Sequence, residues 1–588
     1  MRLAILWFCC LVAPLAADDL ELRFVPRWHG APIDVPSASL TNGPGQTLRL
    51  TRFAALISGV RLLRPDGGVV QLDGQYGFVD AADRQLNVTL HNVQPGDYAG
   101  IQFQIGVPPE INHADPARWP AEHPLNPLVN RLHWGWQGGY VFLALEGRWQ
   151  APGGQERGFS YHIATDAHLA SVGFLTSFKV DGPTTAEFAL DLAQVLGRRE
   201  LVAGGTSEST HSGAGDPVAG EIATAASRAF FWLEARKTDR PAMAAVENGA
   251  RRTAVPTTST PWAFVVPPGF PQPELPADNP LTVETVALGE RLFRDSRLSG
   301  NGTQSCASCH SPARAFSDQV ALSRGATGKP GARNAMTLFN LAWAPAYAWD
   351  GGKARVRDQA LAAMTNPVEM NADPATVAAT LARDPRSGPD FTAAFGTPEV
   401  TPVRIALALE QYLLTQVSGD SKFDRALQGK LTISEEEKRG FALFATEFDP
   451  ARGQRGADCF HCHGGPLFSD FAYKNNGIAP SATDTGRARV TGNAGDTDKF
   501  KTPSLRNVAL TGPYMHDGRF ATLEEVVAHY DHGVRRTSTL DPNLAKHPDG
   551  GLALSAEDKS DLVAFLRTLT DLRFEDRQPG PTQPRRAD

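Results

Sequence analysis

The sequence predicts a multidomain protein, with an N-terminal antiparallel β-sandwich followed by a mostly α-helical C-terminal part. Three observations predict this division. Residues 20–233 contain short alternating or apolar runs separated by turn residues, the pattern of antiparallel strands. A stretch rich in Pro, Thr and Ala follows, as is typical of linkers. Beyond it, apolar residues recur with the period of a helix.

The domain boundaries follow from these patterns. Residues 1–17 are predicted to be a secretory signal peptide, because Arg2 precedes an apolar run at 3–12 that is too short to span a bilayer. The β-sandwich is assigned to 18–235, the linker to 236–274, the first helical module to 275–425, the second to 426–575 and a disordered tail to 576–588. No later run is long enough to cross a membrane, so no membrane span is expected.

Strands are predicted in the runs 47–52, 84–90, 98–105, 140–145, 158–163 and 186–190. Helices are predicted at 282–293, 402–415, 434–444 and 555–569. Ser434 with Glu437, and Ser555 with Asp558, have the spacing of capping boxes. A weak repeat, Gly-x-x-Leu-Phe at 289–293 and 440–444, places a similar helix before each cysteine motif described next.

The helical part contains two Cys-x-x-Cys-His motifs. Their residues are Cys306, Cys309 and His310 in the first, and Cys459, Cys462 and His463 in the second. This spacing is typical of covalent c-type haem, with thioether-forming cysteines and the histidine as axial ligand. The alternatives are a zinc site or disulfides, but the motif occurs twice and each copy ends in histidine. We therefore predict a diheme cytochrome c with two c-type modules.

The net charge of -7 is spread along the chain without a long basic run, so nucleic acid is not an expected partner. Haem c is attached outside the cytoplasm, which agrees with the predicted signal peptide. We expect a periplasmic protein.

Other motifs of the helical part resemble the bacterial diheme cytochrome c peroxidase superfamily. They are Leu-Ser-Gly-Asn-Gly at 298–302, Arg-Asn at 333–334, Trp-Asp-Gly at 349–351, Pro-Ser-Leu-Arg-Asn at 503–507 and Pro-Tyr-Met-His-Asp-Gly at 513–518. The resemblance covers about residues 270–570. It implies hydrogen peroxide as the oxidant, and in ordinary members a small redox protein as electron donor.

The second axial ligand distinguishes subgroups of this family. Ordinary members supply a methionine, whereas the matching position here is Tyr530, as in the MauG-like enzymes that modify tryptophans of another protein. Phenolate is a hard, anionic donor that lowers the reduction potential of iron. In the alternative interpretation Tyr530 is a packed helix residue, and His529 or His532 binds the iron.

The first haem must keep an open face to react with peroxide. No histidine lies between His310 and His461, which favours a five-coordinate haem, although Met336, Met364 and Met370 remain candidate sixth ligands. The resemblance implies that Glu369 assists cleavage of the O–O bond, since a buried carboxyl group with a raised pKa can move a proton. The alternative is a solvated loop acid. Gln359 matches another residue of this pocket, while Ala363 replaces a proline found in relatives.

The resemblance assigns two further functions near the haems. Trp349 matches the tryptophan between the two haems and is predicted to relay charge. Asn334, Thr511 and Pro513 match a structural calcium site, through one side-chain oxygen and two backbone carbonyls, and hard oxygen donors suit calcium.

The N-terminal part resembles the MbnP family of copper-binding proteins, on motifs at 106–108, 111–115, 124–126, 133–140 and 159–162. In that family, histidines bind copper beside a tryptophan that a MauG-like partner oxidises to kynurenine. The resemblance makes His113 and His162 the copper candidates, because imidazole suits copper, with His29, His123 and His133 as alternates. The candidate modified residues are Trp119, Trp134 and Trp136, with Trp28 as a fourth.

We therefore predict a periplasmic peroxidase-like oxidoreductase that uses hydrogen peroxide to oxidise a tryptophan of its own N-terminal domain. The first alternative is a peroxide-detoxifying cytochrome c peroxidase that receives electrons from a small donor protein. The second is a non-enzymatic protein that binds copper and transfers electrons.

Overall fold

The computed structural model describes residues 17–35, 37–134, 139–213, 215–238, 259–481 and 483–577. The predicted signal peptide (except its last residue), the centre of the predicted linker and nearly all of the predicted tail lie outside these ranges. Within them, no helix combines the length and apolar character needed to cross a bilayer.

The N-terminal part is a β-rich domain with two main sheets, as predicted. The strands of one sheet are Asp18–Trp28, Ala31–Pro32, Asn87–Val93, Thr184–Asp191 and Phe230–Lys237. The other sheet is built on the long strand Thr47–Leu63, with Ser39–Thr41, Val69–Gln71, Gly77–Asp80, Gly100–Ile105, His133–Trp134, Gly139–Gln150, Glu156–Ala164, Ala170–Phe174 and Ser209–Thr210. Gly96–Tyr98 and Phe178–Val180 form a separate pair. Short helices span Pro109–Asn112, Pro127–Asn130, Ala193–Leu196 and Pro217–Ser227.

The pairing of these strands is mostly, but not wholly, antiparallel. Asp18–Trp28 runs parallel to Thr184–Asp191, and Glu156–Ala164 runs parallel to Ser209–Thr210. A parallel pair requires a crossover connection and so joins strands that are distant in sequence. The local alternation that locates a strand carries no information about so distant a partner.

The C-terminal part is mostly helical, also as predicted. Its α-helices are Val283–Phe293, Cys306–Cys309, Val356–Thr365, Pro374–Ala382, Ser387–Phe395, Pro402–Leu414, Lys422–Leu427, Glu435–Ala445, Ala488–Thr491, Leu523–Ala528, Pro542–Ala545 and Ala556–Arg567. Two short strands, Tyr473–Lys474 and Phe500–Lys501, pair antiparallel. Ser434 and Ser555 begin their helices with complete capping boxes, which confirms both capping predictions.

The sequence repeat corresponds to the same helix packing in both modules. A Cβ atom at Gly289 would lie 2.0 Å from the carbonyl oxygen of Ala408, and one at Gly440 would lie 1.9 Å from that of Asp561. Each glycine therefore lets the helix before a cysteine motif contact the backbone of a later helix of its own module.

Residues 259–274, at the end of the predicted linker, pack against the helical part. Phe270 is buried, and the carbonyl oxygen of Pro271 accepts a hydrogen bond of 2.7 Å from Trp343 Nε1. The side chain of Phe270 also contacts the guanidinium group of Arg506, whose Cζ lies 4.6 Å from the ring centroid. This segment thus contributes to the core next to a buried ion pair.

Arg506 and Asp424 form that ion pair. Two hydrogen bonds join them, Nη1 to Oδ2 at 2.7 Å and Nη2 to Oδ1 at 2.9 Å, and Arg506 is 2% exposed. Burial raises the pKa of Asp424, but the hydrogen bonds and charge of Arg506 outweigh it and hold the pKa below its usual range. The pair therefore stabilises the fold fully at neutral pH, and its contribution is lost as the pH falls through the lowered pKa.

We expect Arg506→Met to reduce the free energy of unfolding by about 3–5 kcal/mol, because it leaves a buried carboxylate without its partner. Urea unfolding of the haem-loaded protein, followed by tryptophan fluorescence, measures this change. Arg386→Met is the control: Arg386 pairs with Asp384 but its side chain is 82% exposed, and a change within about 0.5 kcal/mol is expected. Equal losses in the two variants would contradict the prediction.

The β-domain packs against the second helical module. One hydrophobic cluster contains Trp134, Tyr140 and Phe142 of the β-domain together with Phe460 and Phe565 of the helical part. Hydrogen bonds also cross this boundary, among them those from Arg157 Nη2 to Lys546 O at 2.7 Å and from Arg148 Nη2 to Thr537 O at 3.0 Å. The shared core places the β-domain beside the second cysteine motif.

Candidate functional site

The second Cys-x-x-Cys-His motif opens onto a large cavity. Cys459, Cys462, His463 and Tyr530 line it, and apolar side chains form much of its remaining wall. The cavity has a volume of about 240 Å³ and is partly open to solvent. His463 Nδ1 lies 3.1 Å from the carbonyl oxygen of Phe468; a hydrogen bond there fixes the ring and leaves Nε2 available as an iron ligand. These residues fit a covalent haem with a histidine and a tyrosine ligand.

Tyr530 lies in a π-helical turn, His529–Gly533, that follows the helix Leu523–Ala528. Such turns are rare and often occur at functional sites. Burial raises the pKa of the Tyr530 phenol, although a hydrogen bond of 3.3 Å from Asn476 Nδ2 lowers it. Coordination to iron would therefore have to stabilise the phenolate.

The two histidines beside Tyr530 have other partners. His529 Nε2 lies 3.0 Å from the carbonyl oxygen of Asn476, and His532 Nδ1 lies 3.0 Å from Asp531 Oδ2 with its side chain 59% exposed. Both histidines line a different, more open pocket, and neither is among the residues lining the haem cavity. The geometry favours Tyr530 over both as the axial ligand.

The first motif has the same local design. His310 Nδ1 lies 3.4 Å from the carbonyl oxygen of Phe316. Burial raises the pKa of the Cys309 thiol, and the charges of Asp318 and Glu369 raise it further, which places Glu369 near this motif. Burial also raises the pKa of Glu369 itself, while a hydrogen bond of 2.7 Å from Asn366 Nδ2 lowers it. A carboxyl group in these surroundings is suited to proton transfer.

The other residues assigned to the first haem lie close by in the chain. Gln359 is half-buried on the helix Val356–Thr365 that leads to Glu369. Met364 and Met370 belong to the hydrophobic core of the first module, whereas Met336 lines the cavity of the second motif.

Trp349 also lines the cavity of the second motif. Its side chain is largely buried, and Nε1 donates a hydrogen bond of 2.9 Å to the carbonyl oxygen of Asn334. The three calcium candidates, Asn334, Thr511 and Pro513, line the same cavity. Asn334 Nδ2 donates to the carbonyl oxygens of residues 320 and 321, both at 3.1 Å. The calcium site itself remains a prediction.

A group of histidines lies where the β-domain meets the second motif. His162, His211 and His461 each offer a ring nitrogen within 4.8 Å of the others. His162 was predicted from the sequence, whereas sequence reasoning missed His211 and His461. His461 had a signal, since it lies between the two cysteines of the motif, but nothing local distinguishes His211. The other predicted copper ligand, His113, is absent from the group: its side chain is 59% exposed and Nε2 lies 2.9 Å from Asp166 Oδ2.

The alternate histidines are also outside this group. His29 contacts the ring of Trp28, His123 stacks on Trp119 with ring centroids 4.1 Å apart, and His133 packs against Tyr140. Burial lowers the pKa of His133 to about 4, so its imidazole is neutral at physiological pH.

The tryptophan candidates occupy different surroundings. Trp134 is 9% exposed, and its ring centroid lies 6.2 Å from that of His162, 6.1 Å from that of His211 and 6.4 Å from that of Phe460. Phe460 lies inside the second Cys-x-x-Cys-His motif. Trp119 instead stacks on His123, Trp28 Nε1 donates to the carbonyl oxygen of Thr41, and Trp136 lies outside the described residues.

Comparisons with known proteins agree with both resemblances. The family model for di-haem cytochrome c peroxidase matches residues 283–432, and the MbnP model matches residues 17–212. Methylamine utilization protein MauG of Methylophilus methylotrophus is 37% identical, over 53% of this chain and 91% of its own length. Cytochrome c551 peroxidase of Nitrosomonas europaea is 34% identical, over 52% of this chain and 86% of its own.

Two solved structures are also similar to parts of the chain. A MauG-like protein associated with microbial copper homeostasis is 35% identical with a TM-score of 0.48, and the match covers 54% of this chain and 99% of that one. MbnP from Methylosinus trichosporium is 18% identical with a TM-score of 0.28, and the match covers 35% and 87%.

Proposed function

The chain belongs to the family of diheme cytochrome c peroxidases and MauG proteins, and we propose that it uses hydrogen peroxide to oxidise Trp134 of its own N-terminal domain to kynurenine. The observation that carries this proposal is the contact between Trp134 and Phe460, a residue inside the second haem motif. Of the tryptophans that the sequence nominated, Trp134 alone within the described ranges packs against that motif.

Each part of the site has a distinct function. Once attached, the haems supply the redox chemistry, and the protein orients the groups around them. Glu369 accepts a proton from peroxide and returns one as the O–O bond breaks. Trp349 lies in the wall of the cavity and relays electrons between the two motifs. Tyr530 would hold the second haem through its phenolate oxygen, a donor that favours oxidised iron.

The overall reaction balances with peroxide as the sole oxidant. Conversion of the indole to N-formylkynurenine removes four electrons and adds two oxygen atoms, and two molecules of hydrogen peroxide supply both with release of two waters. Hydrolysis then releases formate and leaves kynurenine. No external electron donor is required, which distinguishes this reaction from peroxide detoxification.

Two further features belong to the proposal. The N-terminal domain binds copper, an assignment supported by its match to the MbnP family and by the histidines beside Trp134. The protein acts in the periplasm, which is supported by the signal-peptide pattern at residues 1–17 and by haem attachment.

Peptide mass spectrometry of the haem-loaded protein after peroxide treatment tests the proposal. We expect kynurenine at position 134 in the wild type and in Trp119→Phe, and none in His310→Ala, which lacks the axial ligand of the first haem. Trp134→Phe should keep its haem spectrum and yield no kynurenine. Unmodified tryptophans together with rapid peroxide turnover by an added donor protein would identify an ordinary peroxidase instead.

A further inference from the structure

The group formed by His162, His211 and His461 joins two domains. His162 lies on the strand Glu156–Ala164 and His211 follows the strand Ser209–Thr210, whereas His461 belongs to the second haem motif. The three side chains are 9%, 11% and 1% exposed. Ring centroids are 4.7 Å apart for His162 and His211, and 4.6 Å apart for His211 and His461. The imidazoles therefore face one another in a buried interface.

Each histidine has at least one ring nitrogen without a hydrogen bond. In the part of the chain that the structure describes, no hydrogen-bond partner faces Nδ1 of His162, Nε2 of His211 or Nδ1 of His461. Buried polar atoms in folded proteins are almost always paired. Each of the three rings therefore has an unpaired nitrogen, and one nitrogen from each ring lies within 4.8 Å of the others, so the group could hold a metal ion.

The opposite nitrogen of each ring faces a carboxylate. His162 Nε2 lies 2.9 Å from Glu146 Oε1, His211 Nδ1 contacts Glu447, and His461 Nε2 lies 3.6 Å from Asp458 Oδ1. Metal-binding histidines characteristically donate their other N–H group to a carboxylate, which fixes the tautomer and orients the ring. Glu146 and Glu447 provide this arrangement for His162 and His211, whereas Nε2 of His461 also lies 3.4 Å from Lys546 Nζ.

The coordination number favours monovalent copper. The carboxylates of Glu146, Glu447 and Asp458 face two buried cations, since Arg52 pairs with Glu146 and Lys546 pairs with both others. The rings of Trp134 and Phe460 close the site without offering a donor atom. Zinc would complete its tetrahedron here only with a water molecule, whereas monovalent copper accepts three nitrogens, and imidazole suits copper.

We propose that His162, His211 and His461 bind one monovalent copper ion at the interface between the β-domain and the second haem module. The choice of copper rests on the proposed copper function of the N-terminal domain, but the site itself does not depend on oxidation of Trp134. Because the third ligand comes from the helical part, the ion binds tightly only when the two domains are docked. Copper binding thus reports on, and stabilises, the arrangement that places Trp134 beside the haem motif.

Anaerobic titration of the haem-loaded, peroxide-free protein with monovalent copper, against a chromogenic chelator, tests this site. We expect one tightly bound ion in the wild type and at least about a tenfold loss of affinity in His162→Asn, His211→Asn and His461→Asn. His91→Asn is the matched control, because His91 is an exposed histidine that pairs with Asp19, and its affinity should equal that of the wild type.

Two further variants test whether binding requires docking of the two domains and whether His113 is the ligand instead. A Cβ atom at Gly158 would lie 1.9 Å from the carbonyl oxygen of Pro542, so Gly158→Ala disturbs docking without touching a ligand and should also weaken binding. Unchanged affinity in His211→Asn and His461→Asn, or its loss in His113→Asn alone, would overturn the proposal. Stoichiometric binding of zinc but not copper would overturn the choice of metal. Kynurenine formation is measured separately, so failure of either proposal leaves the other standing.

Discussion

Replacing Tyr530 with methionine is expected to raise the reduction potential of the second haem by on the order of 0.2 V and to abolish kynurenine formation at Trp134. A neutral thioether stabilises ferric and more oxidised iron less than an anionic phenolate does, and axial ligands are a principal determinant of haem potentials. Spectroelectrochemical titration measures the potential, and peptide mass spectrometry measures the product.

The surroundings of Tyr530 make this variant informative. Tyr530 is half-buried and lines the cavity that contains Cys459, Cys462 and His463, so methionine can reach the same space. Tyr514→Phe is the matched control, because Tyr514 lines the same cavity but donates its hydroxyl group to the carbonyl oxygen of Val508 at 3.0 Å. An unchanged potential in Tyr530→Met, with a shift in His529→Phe, would show that His529 is the ligand.

The second large effect is expected for Glu369→Gln, which should slow the reaction of the protein with peroxide by about 10²- to 10⁴-fold. Glutamine preserves the size of the side chain and the contact with Asn366 but cannot accept a proton. Stopped-flow mixing with limiting peroxide gives the rate constant. Asp358→Asn is the control, because Asp358 is an exposed acid on the helix that leads to Glu369.

The pH dependence of this rate provides an independent check. Burial raises the pKa of Glu369, although Asn366 opposes the shift. Because the ionised carboxylate must accept the first proton, the rate should fall as the pH is lowered through this raised pKa. That transition should lie above the ordinary glutamate value of about 4.3 and should be absent in Glu369→Gln. An unchanged rate and pH profile in Glu369→Gln would show instead that Glu369 is a solvated acid in a loop and takes no part in the reaction.

The sequence alone determined the features that depend on short-range patterns. Strand alternation located the β-domain, helical periodicity and the capping boxes at Ser434 and Ser555 located helices, and the cysteine spacing predicted both haem attachments. Tyr530 could also be nominated from the sequence as a candidate ligand, because counting residues along the chain from the Pro-Tyr-Met-His-Asp-Gly motif leads to it. These signals are local because hydrogen bonding within helices and covalent attachment to haem involve residues close in sequence.

Only the tertiary structure decided which distant residues meet. Trp119 and Trp134 were equivalent candidates in the sequence, and the shared hydrophobic core places Trp134, not Trp119, beside Phe460. His113 and His162 were paired by resemblance, whereas strand pairing within the β-domain joins His162 to His211 and docking of the domains adds His461. Contacts across such separations arise from burial of a common apolar surface. That burial depends on the whole interface, so no periodic pattern in the sequence near any one of these residues predicts the contact.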